Sequence, residues 1–79
     1  MSTISIKTFE ALATTVWFSA TMMFVRLLDG REIGVPLEWL PVLKGASEQQ
    51  RSNWRLVGRG VGIHWEELDE DISVPALIK

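Results

Sequence analysis

The segment W-R-L-V-G-R-G-V-G-I-H-W-E-E-L-D-E-D-I-S-V, residues 54–74, decides the fold that the sequence predicts. Residues 55–57 and 62–64 are short β-prone segments, and they flank the turn G-R-G-V. Glycine tolerates the left-handed backbone conformations that such a turn needs. The two segments are therefore predicted to pair as a hairpin, with Leu56 and Ile63 in the core.

An acidic run follows this hairpin, with five of the ten acidic residues between positions 66 and 71. Leu68 and Ile72 are predicted to anchor the run to the core. Ser73 is placed to cap a final short helical turn, because a serine side chain accepts hydrogen bonds from the N–H groups at a helix N-terminus. Pro75 lies just inside this turn, where its missing N–H would have no helical partner in any case. The run is thus predicted as a capped turn.

A second hairpin is predicted at residues 22–27 and 31–35, joined by L-D-G. Asp-Gly is a strong hairpin signal. A two-residue loop would mix polar and apolar residues on both faces, whereas a three-residue loop with a left-handed Gly30 separates them. The preferred loop pairs Leu27 with Arg31, Arg26 with Glu32, Val25 with Ile33, and Met23 with Val35.

Residues 12–18 are predicted as a further strand. Side chains alternate along a strand, so Val16 and Phe18 share one face and Trp17 lies on the other. Trp54 and Trp65 are assigned to the core because each flanks a predicted strand.

The middle of the chain has a helical pattern. Residues 37–44 are predicted to be helical, with Pro41 tolerated only in a first turn. Ser47 and Gln50 form a capping box that begins a short helix at residues 48–53. The predicted class is α+β, an antiparallel sheet of four or five strands with two or three short helices packed on one face.

Composition and charge limit what the chain can be. At 79 residues and 47% hydrophobic, it is predicted to be a single small domain over residues 1–79, with residues 1–8 poorly anchored. A net charge of −2 lacks the basic excess of a typical nucleic-acid binder. The absence of cysteine excludes thiolate metal sites and favours a cytoplasmic location. The apolar run at residues 11–25 is too short to span a bilayer, so no membrane association is predicted.

Three ordered blocks resemble a known bacterial family. They are D-G-R-E-I-G-V-P-L-E-W-L-P-V-L at residues 29–43, S-E-Q-Q-R-S-N-W-R-L-V-G at 47–58, and G-I-H-W-E-E-L-D-E-D-I-S-V at 62–74. Across residues 15–78 the chain is similar to the small domain of unknown function numbered 2442.

The resemblance implies a compact α+β fold with an antiparallel sheet. It implies no established enzyme activity, catalytic residue or cofactor. Members of the family stand alone or are joined to a helix-turn-helix DNA-binding domain, and many are encoded beside a second small protein in the manner of toxin–antitoxin pairs. A small protein is therefore the expected partner, by association with the family and not by mechanism.

His64, the only histidine, precedes the acidic run. A metal-dependent hydrolase would use it as general base, with Asp69 and Asp71 as ligands. Zinc prefers more nitrogen or sulfur ligands, and the run lacks the glycine and distal glutamate of a calcium loop. We favour a structural interpretation, in which His64 hydrogen-bonds within the hairpin and the acids cap a turn, because one histidine leaves too few catalytic parts. No catalytic, cofactor-binding or metal-binding residue is assigned.

Aromatic and arginine residues are the candidates for an interface. Two aromatic residues lie on strand faces opposite the predicted core, so they either meet a second layer or lie exposed. If both are exposed, they form an apolar patch of the kind that marks a docking surface. Three arginines recur at every fourth position after residue 50, and they can converge on one surface with Arg26 and Arg31. The candidates are Trp17, Phe24, Arg26, Arg51, Arg55 and Arg59.

We predict a non-enzymatic protein-interaction module, an antitoxin-like partner of a small neighbouring protein. A homo-oligomer is an open alternative. So is a regulatory nucleic-acid contact through Arg51, Arg55 and Arg59, whose affinity would fall steeply with salt. A divalent-metal-dependent hydrolase at His64 is the remaining alternative.

Overall fold

The computed structural model describes residues 11–78, and the segment 1–8, predicted to be poorly anchored, lies outside that range. Six short strands and three short helices follow one another along the described chain. The strands are β1 (Ala13–Phe18), β2 (Met22–Leu27), β3 (Glu32–Pro36), β4 (Trp54–Val57), β5 (Gly62–Trp65) and β6 (Glu70–Ser73). The helices are α1 (Pro41–Lys44), α2 (Glu48–Ser52) and α3 (Val74–Leu77), and 3₁₀ turns span Leu37–Trp39 and Gly58–Gly60.

The strands form two antiparallel sheets. Sheet 1 contains β1, β2 and β3 in that order, and sheet 2 contains β4, β5 and β6. The α+β class with short helices is confirmed, but the prediction of one sheet with four or five strands was wrong. At Ala13, the free edge of β1 meets the Gly58–Gly60 turn of sheet 2 and not another strand. A Cβ on Gly60 would lie only 2.5 Å from the backbone oxygen of Ala13. Such a close approach leaves no room for a strand between them.

The hairpin of β2 and β3 has the predicted register. Met23 pairs with Val35, Val25 with Ile33, and Arg26 with Glu32. The Leu27 N–H donates to the Arg31 carbonyl at 2.8 Å, and Gly30 takes the predicted left-handed conformation with φ of 97°. The Arg31 N–H also donates to the Asp29 carboxylate at 3.0 Å, and this hydrogen bond holds the pKa of Asp29 below its ordinary value.

The segment between the sheets is helical, as predicted. Pro41 lies in the first turn of α1, where its missing N–H leaves no helical bond unmade. Ser47 Oγ accepts from the Gln50 N–H at 3.1 Å and Gln50 Oε1 accepts from the Ser47 N–H at 2.9 Å, which confirms the capping box of α2. Asn53, predicted as the last helical residue, is the C-cap. Within residues 11–78, none of the helices has the length and hydropathy of a membrane span.

Sheet 2 contains one strand that the sequence did not predict. The hairpin of β4 and β5 is confirmed, and each strand is one residue longer than expected. Residues 70–73, predicted as part of a capped turn, instead form β6, with Ile72 opposite Ile63 and Asp71 opposite His64. Acidic residues have low β propensity, but pairing across the sheet overrides it, because Ile72 is buried and Asp71 hydrogen-bonds to His64.

The acidic run begins in the turn between β5 and β6. The Asp69 N–H donates to the Glu66 carbonyl at 3.2 Å, and Asp69 has a left-handed φ of 51°. Leu68 packs against the core and Ile72 is buried, so both predicted anchors are confirmed. Ser73 is at the N-cap position of α3, but its side chain makes no capping hydrogen bond, so that predicted interaction was wrong.

One hydrophobic cluster contains residues from both sheets and from the segment between them. Trp65 is fully buried, and its indole N–H donates to the Arg51 carbonyl at 2.9 Å, which satisfies the polar atom of a buried tryptophan. The core assignment is therefore confirmed for Trp65, whereas Trp54 is only partly buried against the cluster. The buried members are Ala11, Ala13, Val16, Met23, Val25, Leu27, Val35, Leu37, Leu43, Ile63, Trp65, Ile72 and Val74.

Candidate functional site

The outer face of sheet 1 carries the two aromatic residues predicted for an interface. Strand alternation sends Val16 and Val25 into the core and places Trp17 and Phe24 on the opposite face. Trp17 and Phe24 are directly paired between β1 and β2, and each is partly buried. With Arg26, they form a surface that we call the aromatic face.

The members of the aromatic face contact one another. The ring centroids of Trp17 and Phe24 are 5.6 Å apart with an interplanar angle of 20°, a stacked arrangement. The guanidinium carbon of Arg26 lies 5.3 Å from the Trp17 ring centroid, within the range of a cation–π interaction. Arg26 Nε also donates to Glu32 Oε2 at 3.0 Å, so the guanidinium is held over the ring by an ion pair across β2 and β3.

Gly34 also supports this face, a role that its place in the sequence alone does not reveal. It pairs with Phe24 across β2 and β3. A Cβ on Gly34 would lie 3.2 Å from Phe24 Cε1 and 3.1 Å from Met22 Cε, closer than ordinary contacts. The missing side chain therefore lets the Phe24 ring lie close to the backbone of β3. A glycine inside a predicted strand is the sequence signal that indicates such a close approach.

A groove runs beside the aromatic face along one edge of β1. Residues 16–20 form one wall, and the other wall consists of Glu48, Arg51 and Ser52 of α2 together with Trp54. The groove has a volume of about 520 Å³, which lies within the range of small binding sites. This groove is not predictable from the sequence, because its walls come from elements that are distant in the chain.

The three regularly spaced arginines lie on three separate elements. Arg51 belongs to α2, Arg55 to β4, and Arg59 to the turn before β5, where it is exposed with a φ of 61°. The Arg51 guanidinium donates to the backbone carbonyls of Leu43 and Lys44 at 2.8 and 3.0 Å, which ties α2 to the end of α1. Arg51 therefore has a structural contact inside the chain as well as a place in the groove wall.

The outer face of sheet 2 carries a row of charges instead of aromatic rings. Arg55, His64 and Asp71 are neighbours across β4, β5 and β6. His64 Nδ1 lies 2.6 Å from Asp71 Oδ1, and His64 Nε2 lies 3.1 Å from Glu66 Oε1. Arg55 Nη2 donates to the same Glu66 oxygen at 3.1 Å. We call these four residues the charged row.

The charges of this row favour one another's ionised forms. The hydrogen bond to Asp71, with the nearby Glu66 carboxylate, raises the pKa of His64 above its ordinary value. The hydrogen bond from Arg55 lowers the pKa of Glu66. The two His64 nitrogens are therefore each directed at a carboxylate, and we call this arrangement of His64 between Asp71 and Glu66 the clamp. In the described part of the chain, no group of three or more acidic or histidine side chains is arranged to hold a metal ion.

The fold and its two outer faces define a small α+β domain of paired three-stranded sheets. The family model described as "Protein of unknown function (DUF2442)" matches residues 13–79, and the chain belongs to this family, as the resemblance predicted. The structure is similar to a solved protein of unknown function from Rhodospirillum rubrum ATCC 11170, with a TM-score of 0.76 and 32% identity; 89% of this chain and 87% of that chain are covered. No curated protein matches the sequence.

Proposed function

We propose that this chain is a non-enzymatic protein-interaction module, an antitoxin-like partner that covers and inhibits a small neighbouring protein. The aromatic face is the observation that supports this function. Tryptophan and arginine are enriched among the residues that dominate binding energy at protein interfaces. Trp17 and Arg26 are in contact on a sheet face that is ordinarily polar when it meets water.

The aromatic face is also preorganised for binding. Phe24 stacks on Trp17 and lies close to Gly34, and Arg26 is paired with Glu32. Binding a partner costs entropy for each side chain that must be immobilised, and residues already held in place lose less of it. A partner that docks on this face therefore meets rings and a guanidinium that are already oriented.

The charged row supports a structural role for sheet 2 in this proposal. Asp71 engages His64 Nδ1, so a general base would present the other nitrogen, Nε2, to a substrate. In this structure His64 Nε2 is directed at Glu66 instead. Arg55 is paired with the same carboxylate. These groups interact mainly with one another, which favours a clamp over a catalytic site.

The family resemblance favours a small protein as the partner, because many members are encoded beside one. An antitoxin-like role predicts that the neighbouring protein, expressed alone, slows growth, and that co-expression of this chain restores it. Growth curves of the two strains measure this directly.

The interface is tested by native mass spectrometry and titration of the complex with that partner. The variant Trp17→Ser/Phe24→Ser is expected to bind about tenfold more weakly or worse, since it removes two hot-spot rings. The matched variant Glu66→Ser/Asp71→Ser changes two residues of the charged row and is expected to bind as the wild type does. Circular dichroism checks that both variants are folded.

Unchanged binding by the folded Trp17→Ser/Phe24→Ser variant would reject this surface, and recovery only as a homo-oligomer would reject the small partner. A nucleic-acid complex whose affinity falls steeply with salt would favour the contact through Arg51, Arg55 and Arg59 instead. Thermal stabilisation by a divalent cation that is lost in Asp71→Asn would favour the hydrolase.

A further inference from the structure

One edge of β1 pairs with β2, and the other edge faces the groove. The Ser19 N–H donates to the Met22 carbonyl at 2.9 Å, so this pair is hydrogen-bonded. Hydrogen-bonded and non-hydrogen-bonded pairs alternate along an antiparallel ladder. Trp17 therefore directs its backbone groups at β2, whereas Val16 and Phe18 direct theirs into the groove.

The same edge of β1 is covered at its beginning. A Cβ on Gly60 would lie 2.9 Å from the backbone nitrogen of Ala13 and 2.5 Å from its oxygen, so the Gly58–Gly60 turn lies directly on the edge there. Further along, residues 16–20 line the groove. Proteins usually protect an open strand edge with charge or proline, and the sequence V-W-F-S-A has neither.

The facing wall of the groove carries one carboxylate, that of Glu48. Glu48 and Ser52 lie one helical turn apart on α2. The Arg51 guanidinium on the same wall is directed at the carbonyls of α1. Glu48 forms no ion pair with any other residue of the described range 11–78. Its carboxylate is therefore placed to meet a basic side chain.

We propose that this groove binds an extended segment of the protein partner, which adds as a strand to the edge of β1 and places a basic side chain beside Glu48. The inference rests on the proposed function and specifies how the partner is recognised. Backbone groups repeat about every 6.6 Å on one edge of a strand, and an extended peptide presents complementary groups at that same spacing. Val16 and Phe18 supply the matching pair on β1.

The probe is a set of peptides selected from a random decapeptide phage library on the folded chain and then synthesised. Ser52→Trp fills the groove and is expected to weaken peptide binding about tenfold or more. Gln49→Trp adds the same ring to an exposed position of α2 that does not line the groove, and is expected to leave binding unchanged. Glu48→Gln should cost about threefold, as for one exposed ion pair.

Two backbone measurements test the strand geometry. N-methylation of alternate peptide amides, on the edge that faces β1, should abolish binding, while methylation of the other set should not. Amide hydrogen exchange should show new protection at Val16 and Phe18 on peptide binding. The Trp17 amide, already bonded to β2, should not change.

The inference is overturned if no peptide is enriched, if selected peptides bind Ser52→Trp as well as wild type, or if Val16 and Phe18 gain no protection. Should Ser52→Trp fail to fold, the N-methyl pair and the exchange data still decide. Phe24→Ser separates the two proposals, because Phe24 does not line the groove. Loss of partner binding in Phe24→Ser but not in Ser52→Trp would retain the aromatic face and reject the groove. Loss in Ser52→Trp but not in Phe24→Ser would retain the groove and reject the aromatic face.

Discussion

The two sheets share one topology but differ in the chemistry of their outer faces. In sheet 1, Trp17 stacks on Phe24 and meets water with part of its ring surface. In sheet 2, His64 lies between the carboxylates of Asp71 and Glu66. The charged groups of sheet 2 satisfy one another, whereas the rings of sheet 1 keep apolar surface that a partner can cover. The same scaffold therefore supports a stabilising face and a candidate binding face, and the side chains alone distinguish them.

The largest expected effect separates the buried tryptophan from the one on the outer face. Trp65→Ala removes a fully buried ring and a hydrogen bond to the Arg51 carbonyl, and should cost about 3–5 kcal/mol of unfolding free energy. Trp17→Ala removes a partly buried ring and should cost about 1 kcal/mol, since its main loss is the stacked pair. Urea unfolding followed by far-ultraviolet circular dichroism measures both. Equal costs would show that the aromatic face is part of the structural core, and the comparison between the faces would fail.

The next effect concerns the contact that joins the two sheets. Gly60 and Gly30 have similar positive φ values, 104° and 97°, so alanine strains the backbone alike at both. Only Gly60 has a close neighbour, because nothing lies within 4 Å of a Cβ on Gly30. Gly30→Ala should cost about 1 kcal/mol and Gly60→Ala clearly more, as the backbone of Ala13 cannot rotate away. Similar unfolding free energies for the two variants would mean that this contact is easily relaxed.

The two smallest expected effects are pH dependences, and the first belongs to sheet 2. The pKa of His64 is raised above 6.5 in the folded state by Asp71 and Glu66, while partial burial and Arg55 oppose the shift. The stabilisation by His64 is therefore complete below pH 6.5 and is lost as the pH rises through the folded-state pKa. Urea titrations between about pH 5.5 and 9 should show wild type losing more stability than His64→Gln, modestly because the carboxylates are exposed. Parallel profiles for the two proteins would contradict the clamp.

Acidic conditions are expected to act through the carboxylates of both sheets. The pKa values of Glu66 and Asp29 are lowered by their hydrogen bonds to arginine residues. Their stabilising contributions are therefore present above the ordinary pKa of each group and are lost as the pH falls through the folded-state value. In the same urea titrations, Glu66→Gln should reduce the loss of unfolding free energy as the pH falls. If Glu66→Gln loses unfolding free energy at low pH as steeply as the wild type, the acid sensitivity comes from other carboxylates.

The parts of the fold that were predictable depend on local sequence. The register of β2 and β3 follows from the Asp-Gly loop and from alternating side chains on either side of it. The start of α2 follows from Ser47 and Gln50 alone. By contrast, β6 has a single buried apolar residue, Ile72, and its pairing with β5 is a tertiary contact that its own sequence does not reveal.

The candidate site was predictable to a similar degree. The two-residue period of a strand placed Trp17 and Phe24 away from the core. The roles of Gly34 and of the groove were not predictable, since they depend on which strand lies beside β2 and where α2 packs. The regular spacing of the arginines predicts Arg51 as an interface residue, but its contact with the carbonyls of Leu43 and Lys44 appears only in the structure.

The order of the strands has a consequence for synthesis of the protein. Within residues 11–78, each strand pairs only with its neighbours in sequence, so sheet 1 requires nothing beyond residue 36 to form its hairpins. Such local pairings close with little loss of chain entropy and form quickly. The Gly58–Gly60 turn, which covers the edge of β1 at Ala13, is translated later. On the ribosome we therefore expect a nascent sheet 1 whose whole β1 edge is open to other strands until sheet 2 follows.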